Sequence, residues 1–239
     1  MPFELCVVDN GSADGTEAYF RRFPLPYPLR YERNAANAGL IRALNQGARL
    51  AGGEVLCFLH NDTEVREPAW LERLGAALGG ARRVGLAGLY GARRVRRDGR
   101  YVGRTIVHGL EGGPGMPAPV VEVAAVDGVC LCLRRALLDQ IGGFDEGYGF
   151  FHGYDRELSF AVRERGLACA VVDARFVHRG GGTRTATLAP VAAAEDMEQR
   201  RQAMARFARK WRRRLPSDVR GFGERIANYM TRRGERVKA

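Results

Sequence analysis

The sequence predicts an α/β fold with a mostly parallel central sheet, helices on both of its faces, and a basic helical tail at the C-terminus. Three observations carry this prediction. Short apolar runs alternate with segments of helical spacing, as in sheets that helices cover on both sides. The run 55–59 is continuously apolar, which is typical of a strand buried on both faces. Beyond residue 199, fourteen Lys and Arg residues stand against three acidic residues, an excess equal to the chain's whole net charge of +11.

The individual elements follow from apolar periodicity and from turn residues. The predicted strands cover residues 4–8, 31–33, 55–59, 84–87, 129–133 and 168–172. The predicted helices cover residues 17–22, 39–50, 70–78, 135–141 and 155–165. Residues 90–119 are rich in Gly, Arg and Pro, and this composition predicts a variable loop or hairpin region.

Polar side chains stand where several of these elements begin or end. Asp9-Asn10-Gly11-Ser12 follows the first strand, His60-Asn61-Asp62 follows the third, and Tyr154-Asp155 opens a helix. Ligands of open α/β sheets collect at the carboxyl ends of strands. These residues therefore predict one shared polar cleft, which we interpret as an active site.

Four stretches in order give the chain a recognisable pattern: residues 7–16, residues 34–62, residues 127–146, and residues 154–183. Together they resemble the family 2 glycosyltransferases, whose Rossmann-like domain is called the GT-A fold. The resemblance covers about residues 4–185. It implies inverting transfer of a hexose or deoxyhexose from a UDP-, GDP- or dTDP-sugar, with Mn²⁺ or Mg²⁺ as cofactor, and a place in cell-surface polysaccharide biosynthesis.

The resemblance implies a metal site at Asp62 and His178. A hard divalent cation prefers carboxylate oxygen and can bridge two phosphates. The family motif reads Asp-x-Asp, whereas this chain has His60 in the first position, where it can contact the metal, a phosphate or the sugar. A turn over 61–63 and a structural histidine are the alternative interpretations. The glycines at 180–182 would let the backbone approach phosphate oxygens.

Asp155 is the expected general base, because it matches the aspartate of the family's Glu-Asp motif and a carboxylate can accept the acceptor's proton. Tyr154 replaces the usual glutamate. We assign Asp127, Gly128, Tyr154 and Glu157, together with His60, to donor or acceptor binding. Helix capping is the alternative role for Asp155, and a salt bridge is the alternative role for Glu157.

The nucleotide is expected at the first strand end and the segment after the second strand. The residues that resemble family contacts to the nucleotide are Asp9, Asn10, Ser12, Arg33, Asn37, Gly39 and Asn61, with Asn45 as a weaker candidate. The stretch 144–146 resembles the family's sugar and acceptor side, and a structural helix stop is its alternative role. Capping and helix packing are the competing roles for the asparagines.

Members of the family begin with a strand and a helix that precede the segment matching residues 4–12, and this chain starts at the second strand. The alternative function is therefore a catalytically weak or inactive sugar-nucleotide-binding partner domain. Hydrolysis of nucleotide sugars with and without metal would separate the two.

We expect two regions, a glycosyltransferase domain over 1–188 and a basic helical extension over 189–239. Met197, Met204, Phe207 and Trp211 form an apolar stripe that can dock on the domain or lie on an anionic membrane. The sequence has no motif for nucleic-acid recognition. We expect a cytoplasmic protein with a saccharide or lipid-linked acceptor, and peripheral contact at the inner face of the membrane is the alternative.

Overall fold

The computed structural model describes residues 1–80, 83–179 and 190–221. The strands are β1 Leu5–Asp9, β2 Leu29–Arg33, β3 Val55–Leu59, β4 Thr63–Val65, β5 Val84–Gly88, β6 Tyr90–Ala92, β7 Arg94–Val95, β8 Ile106–His108, β9 Val120–Val123, β10 Ala125–Val126, β11 Cys130–Arg134, β12 Ala168–Val172, β13 Phe176–His178 and β14 Ser217–Asp218. The helices are α1 Thr16–Arg22, α2 Leu40–Leu50, α3 Trp70–Gly79, α4 Arg135–Ile141, α5 Tyr154–Glu164 and α6 Pro190–Lys210.

The central sheet has five strands in the order β3-β11-β5-β12-β9. The prediction of a mostly parallel sheet is wrong: among these described strands only β5 and β12 pair in parallel, and the other three neighbouring pairs are antiparallel. Strand β11 follows the short strands of residues 90–126 in the sequence, and it pairs antiparallel with both β3 and β5. An apolar run indicates burial on two faces but does not encode strand direction, so the sequence pattern could not reveal this.

Helices cover both faces of the sheet, as predicted. The alternation of side chains along β11 divides the core, since Leu131 and Leu133 point to one face while Cys130 and Cys132 point to the other. The first face packs against α2, α4, α5 and α6, and the second face packs against α3. The result is an α/β fold around a mixed sheet.

The described strands also form four smaller groups that are separate from the central sheet. Strands β1 and β2 form a separate parallel pair, with α2 packed on β1. The region 90–119, predicted as loop or hairpin, contains short strands, and β6 pairs with both β8 and β10. The strand β13 was not predicted, and its antiparallel pairing with β4 places His178 opposite Thr63.

The apolar stripe of the C-terminal helix docks on the domain at its distal end. Phe207 is fully buried and its ring centroid lies 4.9 Å from that of Phe160, while Trp211 lies 5.5 Å from the same ring. Met197 at the proximal end remains 65% exposed. The predicted boundary at 188 and the chain beyond 221 lie outside the described residues.

Basic residues of this C-terminal segment pair with acids of the preceding domain. Arg206 contacts Asp145 at 3.0 Å, Lys210 contacts Glu157 at 2.5 Å, and Arg214 contacts Glu164 at 2.9 Å. The basicity is therefore partly neutralised within the fold. A search of the described helices finds none with the length and apolar content needed to cross a membrane.

Candidate active site

The structure brings His60, Asp62 and His178 into one cluster at the end of β3. Nε2 of His178 lies 3.1 Å from Oδ1 of Asp62, and Nδ1 of His60 lies 4.0 Å from the same oxygen. The pairing of β13 with β4 delivers His178, and the N–H of Arg179 donates to the Asp62 carbonyl at 2.9 Å. The two residues predicted as metal ligands therefore stand together, with His60 beside them.

The donor set fits a divalent cation. Oδ1 of Asp62 is buried, and no described residue makes a hydrogen bond of acceptable geometry to it, although His178 is in contact. Burial lowers the pKa of His60, which favours the neutral imidazole that metal binding requires.

Tyr154, at the start of α5, reaches this cluster from the side. Its hydroxyl lies 3.0 Å from Nε2 of His60, and its ring packs edge-on against Phe144. A Cβ added at Gly128 would come within 2.1 Å of the Tyr154 hydroxyl oxygen, so residue 128 has to be glycine for this arrangement. Burial raises the pKa of Tyr154 well above its usual value, and its hydroxyl stays protonated at neutral pH.

A pair of carboxylates, Asp127 and Asp155, lies beside the metal-ligating cluster. Asp155 is 5% exposed, and both of its oxygens accept hydrogen bonds from Nη1 of Arg156, at 3.1 and 3.0 Å. The guanidinium of Arg156 also stacks over the Tyr101 ring at 4.0 Å. Burial first and the charge of Asp155 second raise the pKa of Asp127 to about 6. The cleft thus contains one carboxylate that is hydrogen-bonded to an arginine and one whose pKa lies close to neutrality.

Asp9 ends β1 and is buried with three partners. Its Oδ1 accepts from the Ser12 N–H at 2.8 Å, and its Oδ2 accepts from the Tyr31 hydroxyl at 2.5 Å, with Nε of Arg33 at 3.4 Å. Burial alone would raise the pKa of Asp9, but these donors hold it below its ordinary value. The carboxylate is therefore ionised, and it organises the turn that contains Ser12.

The predicted asparagines form a network in the same region. Asn10 donates to Asn37 Oδ1 at 2.7 Å and accepts from the Ala38 N–H at 2.9 Å and from Asn34 at 3.0 Å. Asn37 in turn accepts from the Gly39 N–H at 3.0 Å. Asn10, Asn37 and Gly39 thus lie together near the end of β1. Asn61 lies elsewhere, in the turn that follows β3.

The loop before α5 joins this network to the rest of the site. The Leu40 N–H donates to the Phe150 carbonyl at 2.9 Å, and the Phe150 ring lies where a side chain at Gly39 would stand. Gly39 has a φ of +91°, which glycine adopts most readily. The start of α2 and the start of α5 are therefore held to each other.

Glu157, two residues beyond Asp155, faces away from the metal-ligating cluster. Its oxygens accept from Tyr148 at 2.5 Å, from Lys210 at 2.5 Å and from the Trp211 indole at 2.7 Å. This is the salt-bridge alternative raised by the sequence, and the donor or acceptor role of Glu157 stays a prediction. Asn45 binds both the N–H and the carbonyl of Phe144. Asn45, Glu157 and Trp211 line a 560 Å³ cavity.

Sequence reasoning missed several residues of the site. Arg156 and Tyr101 donate hydrogen bonds to Asp155, and Tyr31 donates one to Asp9. The sequence pattern does not single out any of these three residues. Arg156 adjoins Asp155 in the sequence, and that adjacency was an available signal. Tyr101 lies in the region where periodicity failed, so only the tertiary structure could place it. The predicted phosphate role of the glycines at 180–182 lies outside the described residues.

Comparison of this sequence with known proteins points to one family. The family model described as Glycosyl transferase family 2 matches residues 1–141. The O-antigen biosynthesis protein RfbC of Myxococcus xanthus is 32% identical over 167 residues, which cover 62% of this chain and 12% of RfbC. The chain therefore spans about an eighth of that relative's length.

Solved structures show the same fold. GalNAc-T7 with UDP, GalNAc and Mn²⁺ matches with a TM-score of 0.58 and 16% identity, over 96% of this chain and 52% of that one. The mannosyltransferase PcManGT from Pyrobaculum calidifontis, in complex with GDP-Man and Mn²⁺, matches with a TM-score of 0.52 and 21% identity, over 74% and 49% of the two chains. With the family match spanning more than half of its residues, the chain belongs to glycosyl transferase family 2.

Proposed function

We propose that the chain transfers a sugar from a nucleoside-diphosphate-sugar to an acceptor hydroxyl, with a divalent metal and inversion at the anomeric carbon. The observation that carries this proposal is the cluster His60-Asp62-His178 beside the carboxylates Asp127 and Asp155. Cation ligands next to a proton acceptor are what this reaction requires. The cited neighbour structures contain UDP or GDP-Man with Mn²⁺, which supports a nucleotide-sugar donor and Mn²⁺ or Mg²⁺.

In the proposed mechanism Asp62, His178 and His60 would hold the metal, and a metal bound there would supply positive charge to neutralise the departing diphosphate. Asp155 removes the proton from the acceptor hydroxyl as the new glycosidic bond forms. Direct attack opposite the leaving diphosphate inverts the anomeric centre. Asp127 lies near both Asp155 and His178, and we place the transferred sugar beside Asp127 and Gly128.

The nucleoside is proposed to bind at the end of β1. Asp9 would accept from a ring N–H of the base, since an ionised carboxylate offers about four acceptor sites. The Asp9 side chain is enclosed, so the base would reach it by displacing Arg33, which lies 3.4 Å from Oδ2. Asn10, Ser12, Arg33, Asn37, Gly39 and Asn61 would complete the nucleotide site. The neighbours carry both uridine and guanosine nucleotides, so UDP-, GDP- and dTDP-sugars all remain donors to test.

The acceptor is proposed to be a saccharide or a lipid-linked saccharide, and the transferred group a hexose or deoxyhexose. The name of the relative RfbC, an O-antigen biosynthesis protein, supports a place in cell-surface polysaccharide biosynthesis. We propose a cytoplasmic location, in which the exposed part of α6 around Met197 would be available for peripheral contact with the inner face of the membrane.

One observation favours the second candidate, a sugar-nucleotide-binding domain with weak or no catalysis. Both oxygens of Asp155 accept hydrogen bonds from Nη1 of Arg156, so the arginine occupies the carboxylate that would have to receive the proton of an acceptor hydroxyl. Donor hydrolysis in the absence of acceptor separates the two candidates, because a binding domain would bind nucleotide without releasing it from the sugar.

The deciding experiment measures nucleoside diphosphate release from UDP-, GDP- and dTDP-sugars with Mn²⁺, with Mg²⁺ and with a chelator. We expect release to require the metal, and Asp62→Asn to reduce it about 100-fold or more. Asp14→Asn is the matched control, because Asp14 is exposed and its carboxylate accepts hydrogen bonds from the neighbouring Thr16. Metal-independent release, or an Asp62→Asn variant as active as the Asp14→Asn control, would contradict the proposal.

A further inference from the structure

We propose that Tyr154 is a positioning residue for the metal site, which orients His60 by binding its Nε2 so that Nδ1 faces the cation. This inference rests on the proposed function, since it assumes a cation between His60, Asp62 and His178. It assigns to Tyr154 a role toward the protein's own imidazole in place of a contact with donor or acceptor.

The first support is that the tyrosine hydroxyl is enclosed. Tyr154 is 5% exposed, its hydroxyl lies 3.0 Å from Nε2 of His60, and Gly128 closes the space beside it. A hydroxyl confined in this way has no room for a saccharide. Its position is fixed by the Phe144 ring and by the first turn of α5.

The second support is the direction in which the imidazole points. His60 is held at its backbone by the Val129 carbonyl, which accepts its N–H at 3.1 Å. With Nε2 directed to Tyr154, the other ring nitrogen faces Asp62 at 4.0 Å. A ligating histidine commonly donates its second ring N–H to an oxygen acceptor, and this bond fixes both the tautomer and the ring orientation.

The third support is that two departures from the family pattern touch each other. His60 stands where the resemblance expects an aspartate, and Tyr154 stands where it expects a glutamate. An imidazole ligand requires an oxygen partner for its distal nitrogen, whereas an aspartate ligand has no such nitrogen. In this chain the Tyr154 hydroxyl gives the His60 imidazole that oxygen partner, and Gly128 supplies the space that the tyrosine needs.

The test is an Mn²⁺ titration followed by electron paramagnetic resonance, which reports the free ion without any turnover. We expect Tyr154→Phe, which keeps the ring and removes the hydroxyl, to weaken Mn²⁺ binding about 10–100-fold. Tyr148→Phe is the matched control. Tyr148 is also 5% exposed and gives its hydroxyl to a side chain, but that partner is Glu157 and not a metal ligand. The control should keep the wild-type affinity for Mn²⁺.

A second measurement needs no variant. Long-range ¹⁵N–¹H NMR of the wild-type protein with Zn²⁺, a diamagnetic probe, distinguishes the two imidazole tautomers of each of the four histidines. We expect the His60 ring to carry its proton on Nε2. Wild-type Mn²⁺ affinity in folded Tyr154→Phe, or a proton on Nδ1 of His60 in the Zn²⁺ form, would overturn the inference. A wild-type protein that binds no Mn²⁺ would overturn the metal assignment and this inference with it.

Discussion

Asp9 ends β1 and Asp127 directly follows β10, yet their surroundings shift their pKa values in opposite directions. Around Asp9, burial is outweighed by donors from Tyr31 and Ser12 and by Arg33, and the pKa falls. Around Asp127, burial and the neighbouring charge of Asp155 prevail over Arg156, and the pKa rises to about 6. The same residue type at equivalent places thus becomes a fixed anion in one region and a titrating acid in the other.

The largest expected effect is that of Asp155→Asn, which removes the proposed base and the charge acting on Asp127. We expect transfer to fall about 10²–10⁴-fold, the usual contribution of a general base. Nucleotide binding, followed by thermal shift with UDP, GDP and dTDP, should persist because Asp9 and its partners are untouched. Transfer at a near wild-type rate would show that another group removes the proton, and Asp127 would then be the first candidate.

The second prediction concerns Asp127→Asn and the stability of the fold. A carboxyl whose pKa is raised on folding stabilises the protein below its unfolded pKa, and this contribution is lost as pH rises through about 6. Asparagine avoids the loss, so its unfolding free energy should exceed that of the wild type at pH 7.5 by up to about 3 kcal/mol. Urea unfolding at pH 7.5 and pH 4 measures this, and the difference should vanish at pH 4.

The control for this prediction is the same Asp127→Asn substitution made in a protein that already carries Asp155→Asn. In an Asp155→Asn protein the neighbouring charge is gone, so adding Asp127→Asn should stabilise the fold less than it does in the wild type. Equal gains in the two backgrounds would mean that burial alone sets the pKa of Asp127.

The third prediction is that Asp9→Asn destabilises the fold, in contrast to Asp127→Asn. Asparagine presents an N–H₂ group to the donors Tyr31 and Arg33, and we expect a cost of about 1–3 kcal/mol at pH 7. Because the pKa of Asp9 is lowered on folding, its stabilisation is present above the ordinary value of 3.8 and is lost as pH falls through the folded value. Urea unfolding should therefore show the two proteins converging below about pH 4.

The smallest expected effect is that of Ser12→Ala, which removes one side-chain donor to Asp9 and leaves the backbone N–H in place. We expect a loss of about 0.5–1 kcal/mol in unfolding free energy at pH 7. The same unfolding experiment measures it. A loss as large as that of Asp9→Asn would mean that the serine hydroxyl, and not Tyr31, is the main partner of the carboxylate.

The strands and the helix around the site show which parts of the fold can be predicted from the sequence. The strands ending at Asp9 and before His60, and the helix opening at Tyr154, were predicted and are confirmed, because their apolar patterns and flanking polar residues are local properties. The strand β13 was missed, since its three residues carry no periodicity. Its pairing with β4 is what brings His178 to Asp62.

The carboxylates Asp155 and Glu157 illustrate what spacing leaves open. Two residues apart on a helix, they were both assigned to the site, but Asp155 faces Asp127 and Glu157 faces Lys210 and Trp211. The sequence indicated that they point to different sides of a helix. Which neighbours occupy those sides depends on where α6 docks, and the docking of a separate helix is a long-range property.

The sequence by itself determined the fold class, the family, and the polar residues at the strand ends, because alternation of apolar runs and the order of short motifs are written along the chain. The tertiary structure decided the antiparallel place of β11, the contact between His60 and Tyr154, and the opposite pKa shifts of Asp9 and Asp127. These depend on the distances between groups far apart in sequence. Burial and charge act through space, and only the folded chain fixes that space.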